Sequence, residues 1–429
     1  MQRSMGFWRS WALVVGIMIG NGIFLLPSVL APYGNMSLLG WIFAGGGTIL
    51  IALMLGSLAR RFPKLGGPYV YTREAFGDLP GFLVAWGYWI AIWSAVAAGA
   101  VALSGYLGFF LPQISDKPLY SGISSLLIIW LLTGINTAGV KSASIFQLTT
   151  TLLKLAPLFL IAGSGLLLGD VSEIPASNPD DEPFPILIAS MVILIMWAFV
   201  GVEGVTIPAD DVIEPERTIP RALLAGTVTV TIVYICATYG VMALIPAEQL
   251  ALSTSPFADA ASLIFGPWGA SLVAIGALVS IVGSLNGNIL VGGMIARAIA
   301  VDKLFPARFA SLNKAGAPAF SLVTAGLLSS LLIAMNFSKG LMAAFELLIL
   351  LSTLCTLLPY VASALAEIVL RWRESSDEGR YNKRAIAIAT GALAFSLFAI
   401  IGSGLVVVVY GLVLLGCGLP VYYLTRQQS

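Results

Sequence analysis

The 429-residue chain predicts an all-α integral membrane protein of twelve spanning helices, and three observations carry that prediction. Hydrophobic residues make up 58% of the chain and charged residues only 10%, whereas a soluble domain carries about 25% charged residues. Apolar runs of spanning length recur along the whole chain, and about 20 such residues cross a bilayer as a helix. The basic residues, finally, gather in alternate loops, as orientation in a membrane requires.

The predicted spans lie near 11–32, 38–58, 80–111, 120–139, 144–168, 186–208, 221–246, 266–299, 318–337, 341–370, 385–403 and 405–424. Short segments rich in Gly, Pro and charge join them, so residues 1–429 read as a single transmembrane domain. The first run, preceded by Arg3 and Arg9, is too long for a signal-peptide core and reads as a span. With the N-terminus inside, 19 of the 22 Lys and Arg residues fall in inner segments. Lys117 and Lys339 fall outside, and Lys154 lies within the fifth span. This asymmetry predicts cytoplasmic N- and C-termini. Residues 1–168 and 186–370 then form two five-helix units of opposite orientation, an inverted repeat, with residues 385–424 supplying two further helices.

Several chemistries are excluded or disfavoured at once. The chain has no His, which removes His-based metal sites and triads. Lys plus Arg (22) nearly balances Asp plus Glu (21), so no basic field suggests nucleic acid. Cys236, Cys355 and Cys417 sit far apart in apolar runs and read as packing residues. No nucleophile–base pair, metal cluster or phosphate loop is found, so neither an enzyme nor a cofactor is expected. A channel is the other rival, and interrupted helices favour alternating access over an open pore.

The first spans of the two units share a pattern. One reads Gly20-Asn21-Gly22 with Pro27 behind it, and the other reads Gly201-Val202-Glu203-Gly204 with Pro208 behind it. Paired glycines inside an apolar helix cost about 1 kcal/mol each in helix propensity. They serve either close helix packing or an unwound stretch beside a cavity. Free N–H groups there hold a carboxylate and free C=O groups hold an ammonium, which together describe an α-amino acid. Glu203 lies inside the sixth span, where a carboxylate is costly and reads first as functional. Trp197 lies six residues before it, either as a cavity wall or as core. Lys154 follows Gln147 and Thr149–Thr151 and reads as a stand-in for a bound cation, a titrating group or an ion-pair partner. Tyr88, Ser352, Thr356 and Tyr360 are polar points on the apolar third and tenth spans. Glu346 and Glu367, near the ends of the tenth span, read as interfacial.

At these residues the sequence resembles the amino acid–polyamine–organocation transporters, and among them the bacterial basic amino acid/polyamine antiporters. The resemblance runs over nearly the whole chain and is strongest at Ile19–Pro27, Gly66–Tyr69, Trp197–Glu203, Ser255–Ala260 and Asn313–Gly316. It implies a LeuT-like five-plus-five inverted repeat with broken first and sixth helices, in a bacterial cytoplasmic membrane. It also implies an amino acid or amine as substrate, protons as coupling partners, the bilayer as surroundings and a homodimer as an assembly. Matching positions imply substrate binding by Met18, Ile19, Gly20, Asn21 and Gly22, with Trp197, Ala198 and Val200 on the sixth span and Ser352 on the tenth. Tyr88, Glu203 and Tyr360 match an outer gate, and Lys154 matches the coupling Lys of sodium-independent permeases. The chain departs from the arginine/agmatine exchangers at Ile17, Val96, Gly99 and Asn288, the last replacing an aromatic that stacks on guanidinium. Those departures point to a smaller or neutral amino acid, or an amine without a guanidinium. A neutral amino acid permease or exporter is the alternative they leave open.

Overall fold

The computed structural model describes residues 3–428 apart from 21, 25, 180, 254, 337–340, 379–381 and 403–404. Among the residues singled out above, Asn21 and the side chains of Trp197, Glu346 and Ser352 lie outside the described residues. The described chain is helical, with only two isolated bridges, Met5 to Val212 and Gly34 to Ala176. Eight described helices are long and apolar enough to cross a bilayer, which makes this a multi-pass membrane protein.

The first expected span is divided. Helix α1 (Phe7–Met18) stops, a 3-10 turn covers Gly22–Phe24, and α2 (Leu26–Leu30) resumes. The second span is α3 (Ser37–Arg61). The segment after it is not a plain loop as expected, because α4 (Pro68–Phe76) forms there. Pro68 opens that helix at a position where its missing N–H costs nothing, and Gly67 and Gly77 flank it at φ +51° and +90°. Next come α5 (Asp78–Leu107), the short α6 (Pro112–Asp116), α7 (Pro118–Thr137) and α8 (Val140–Leu168).

The sixth expected span is also cut short. Helix α9 (Phe184–Met196) gives way to 3-10 turns at Trp197–Phe199 and Val202–Thr206, with Gly201 between them at φ +104°. The rest of the chain forms α10 (Pro215–Met242), α11 (Ala247–Leu252), α12 (Pro256–Val301), α13 (Ala319–Asn336), α14 (Leu341–Glu378), α15 (Lys383–Gly402), α16 (Leu405–Gly416) and α17 (Gly418–Gln428). Helix α12 bends sharply at Gly266, where φ is +69° just before Pro267.

Apolar helices in lipid gain little from burying more carbon, so polar contacts carry much of their registration. Two clusters do this. Asn136 Nδ2 donates to Asn286 Oδ1 at 3.0 Å, and Asn286 Nδ2 donates to Gln147 Oε1 at 2.8 Å, pinning α7, α12 and α8 together. Glu367 is 0% exposed. Arg61 and Arg371 pair with it at 3.1 and 3.0 Å, and Ser57 donates to it at 2.7 Å, tying α3 to α14. A buried carboxylate is tolerated there because two guanidinium groups and a hydroxyl replace its water.

Candidate functional site

An α-helix ends with four carbonyls that no intrahelical N–H can reach, and α1 ends in the middle of an apolar core. Each of its last carbonyls nevertheless has a partner. Val15 O accepts from the Ile19 amide at 2.9 Å. Gly16 O accepts from Lys154 Nζ at 2.6 Å, and Ile17 O accepts from Ser284 Oγ at 3.0 Å. Met18 O takes the hydroxyl of Tyr234 at 2.7 Å. Ile19 O, one residue past the helix, accepts from Lys154 as well and from Ser280 at 3.1 Å. A side-chain ammonium thus sits at the negative end of α1, where the helix dipole favours positive charge. Lys154 is 0% exposed, and these carbonyls are what replace its water.

The second break is joined to the first by Tyr234 of α10, whose hydroxyl also lies 3.1 Å from Ala198 O. At Gly201 the chain turns through a left-handed conformation, which a residue without Cβ reaches freely. Its N–H donates to Tyr360 Oη at 3.3 Å. A Cβ at Gly201 would meet Ile17 Cγ2 at 2.3 Å, so the two breaks touch through this glycine. Gly201→Ala is therefore expected to cost about 1–3 kcal/mol in backbone strain alone and to weaken substrate binding. Melting temperature and substrate affinity check this, and no change in either would show that the break tolerates a side chain.

Beyond the turn, Glu203 is 0% exposed. Both carboxylate oxygens are occupied: Tyr88 Oη donates to one and Tyr360 Oη to the other. One acid thereby holds α5 and α14 to the segment after α9. Two hydroxyl donors, rather than a cation, satisfy this acid.

These elements enclose a cavity of about 80 Å³. Met18, Gly20 and Gly22 of the first break line it, as do Ala198, Val200 and Gly201 of the second. Tyr88, Glu203, Asn288 and Thr356 also face it, with Ala91, Ala95 and Gly99 forming the α5 wall. Glu203 is the one carboxylate among these lining residues, and none of them is Lys or Arg.

The structure brings together most of the residues singled out in the sequence, with three differences. Ile19 is fully buried and reaches Lys154 through its carbonyl rather than facing the cavity. Val96 is buried in a separate apolar cluster, while Gly99 lines the cavity. Lys154 lies behind α1 and outside the lining. Sequence reasoning missed Ser280, Ser284 and Tyr234. The two serines and Asn288 recur every fourth residue on α12, a polar stripe along one helical face that was there to be read. Nothing distinguishes Tyr234 from other aromatic residues of apolar spans.

Comparison with known proteins agrees with this geometry. Residues 5–418 match the amino acid permease family. An arginine/ornithine antiporter of Pseudomonas aeruginosa is 30% identical over 92% of this chain and 85% of its own length. A cadaverine/lysine antiporter of Escherichia coli is 33% identical over 84% of this chain and 82% of its own. The putrescine transporter PotE of Escherichia coli is 26% identical over 99% and 96%. With two interrupted helices meeting at a cavity in the core of an apolar bundle, the chain belongs to the amino acid permease family of membrane transporters.

Proposed function

We propose that the protein is an antiporter of the bacterial cytoplasmic membrane that exchanges a basic amino acid for a related amine by alternating access. The observation that carries this reading is Glu203, an acid at the wall of an otherwise uncharged cavity. The breaks on either side provide for the α-amino and α-carboxylate groups, and Glu203 provides for a second ammonium. The relatives are named for arginine, ornithine, lysine, cadaverine and putrescine, all cationic at neutral pH. The neutral permease that the sequence left open is therefore not favoured. Asn288 in place of a stacking aromatic fits an alkylammonium better than a guanidinium.

In this reading the twelve spans form a LeuT-like five-plus-five inverted repeat, units 1–168 and 186–370, followed by two helices at 385–424. Both termini are cytoplasmic. Helix α5 then runs outward from Asp78, and Tyr88 lies about 16 Å nearer its inner end than Gly99 at 1.5 Å per residue. The Tyr88–Glu203–Tyr360 cluster closes the cytoplasmic path, which revises the outer gate implied by the resemblance. An arriving ammonium competes with the two hydroxyls for the carboxylate, so substrate loosens the contact that shuts the gate. An empty carrier keeps both hydroxyls on Glu203 and does not return, and that asymmetry makes exchange obligatory. Lys154 occupies the place a coupling cation would take and ties α8 to α1. Protons, where coupled, use the groups named here.

Uptake of labelled lysine or ornithine into proteoliposomes tests the reading. Uptake is expected to saturate and to be several-fold faster when the lumen holds unlabelled lysine or a diamine. Equal uptake into empty vesicles would overturn exchange, and leucine competing as well as lysine would overturn a cationic substrate.

A further inference from the structure

On the face of the molecule that carries the N-terminus, a second cavity of about 290 Å³ opens away from the substrate site. Three cationic side chains line it: Arg3, Arg9 and Lys141. Asp211 is the only carboxylate among the lining residues, and Arg297 acts on it electrostatically from α12. Among the described residues, Arg3, Arg9 and Lys141 form no ion pair with a carboxylate; Arg9 donates to Ser4 O at 2.7 Å. The cavity thus holds an unbalanced positive charge in a concave site, the arrangement that concentrates anions.

The site is also a junction. The amides of Ser4 and Met5 both donate to Asp211 O at 2.9 Å, and Ile213 N donates to Met5 O at 2.9 Å. The chain before α1 is thereby fastened to the segment that follows the second break. Lys141 comes from the first turn of α8, and the backbone of Ala315 and Gly316 supplies another wall. From Lys141 the same face of α8 continues along exposed Ile145 and Leu152, 44% and 56% accessible. Trp8, 64% accessible, precedes Arg9 on α1 and packs edge-on against Trp11. An aromatic ring and a basic cluster next to a bare apolar stripe match the headgroup and acyl levels of one phospholipid molecule.

We propose that this cavity binds the phosphate group of an anionic phospholipid, with Arg3 and Lys141 as its charge partners. Bound there, the phosphate joins the N-terminal segment, α8 and the Asp211 segment, and holds this face of the carrier closed. Thermal unfolding of the full-length protein in phosphatidylcholine nanodiscs, with rising phosphatidylglycerol or with added inorganic phosphate, tests it. Phosphatidylglycerol is expected to raise the melting temperature. Arg3→Gln with Lys141→Gln should increase the half-saturating fraction roughly thirtyfold, at about fivefold per basic residue near a membrane surface. Lys383→Gln with Arg384→Gln removes the same charge from the exposed start of α15 and should leave the response unchanged. Native mass spectrometry of Lys141→Gln should show less retained phosphatidylglycerol, a readout independent of stability. Stabilisation by inorganic phosphate as well, lost in the same variant, would assign the site to any phosphate group; stabilisation by the lipid alone assigns it to a headgroup. No stabilisation by either, or equal loss in the control pair, would overturn the proposal.

Discussion

Lys154→Met is expected to abolish exchange and to lower stability by about 1–3 kcal/mol, the cost of one buried carbonyl left without a donor. Gly16 O would keep no partner among the described residues, and Ile19 O would keep only Ser280. Met conserves most of the volume and removes only the ammonium, whereas Lys154→Ala adds a cavity to the same loss. The consequence for transport follows from position. Lys154 lies on α8, and its two acceptors straddle the end of α1. Without it, Ser284, Tyr234 and Ser280 still hold neighbouring carbonyls, but α8 no longer fixes the end of α1, and the backbone that cradles the substrate loses its shape. Melting temperature and lysine counterflow measure the two effects separately. A Met variant with wild-type stability and exchange would reduce Lys154 to a space-filling role.

Glu203→Gln tests the other buried charge. Gln retains one acceptor for one tyrosine and can donate to the other, so the contacts to Tyr88 and Tyr360 survive in altered form. The negative charge does not. A charge-assisted hydrogen bond to a substrate ammonium contributes up to about 3 kcal/mol, so exchange of a cationic amino acid should fall by about a hundredfold. Binding of a neutral amino acid should be left nearly unchanged. Undiminished lysine exchange by this variant would show that the carboxylate serves only to join α5 and α14.

Much of the site was legible because its cause is local. Gly20, Gly22 and Gly201 each lower the helix preference of the residues beside them, and an apolar span has no water to satisfy what they release. That argument needs no tertiary structure, and α1 and α9 do stop within two and five residues of Gly20 and Gly201. Glu203 and Lys154 stand out for a similar reason: a charge inside an apolar run demands a partner, whichever one it proves to be. The partners themselves were less legible. Tyr88 and Tyr360 lie 115 and 157 residues from Glu203, and their pairing came from family resemblance. The serine stripe of α12 was readable by its spacing but has no charge to draw attention. The partners of Glu367 were not legible either: Arg61, 306 residues away in sequence, encloses it.

The sequence by itself determined that the chain is helical and membrane-embedded, which two spans are interrupted, and which charges lie within them. Those properties follow from hydrophobicity summed over about 20 residues and from the backbone preferences of glycine and proline, both carried by the segment alone. Only the tertiary structure decided that Lys154 caps α1 and that Tyr234 bridges both breaks. Each depends on the angle and depth at which helices far apart in sequence cross. A hydrogen bond tolerates only a few tenths of an ångström in that placement, and no single helix encodes where its neighbours will stand.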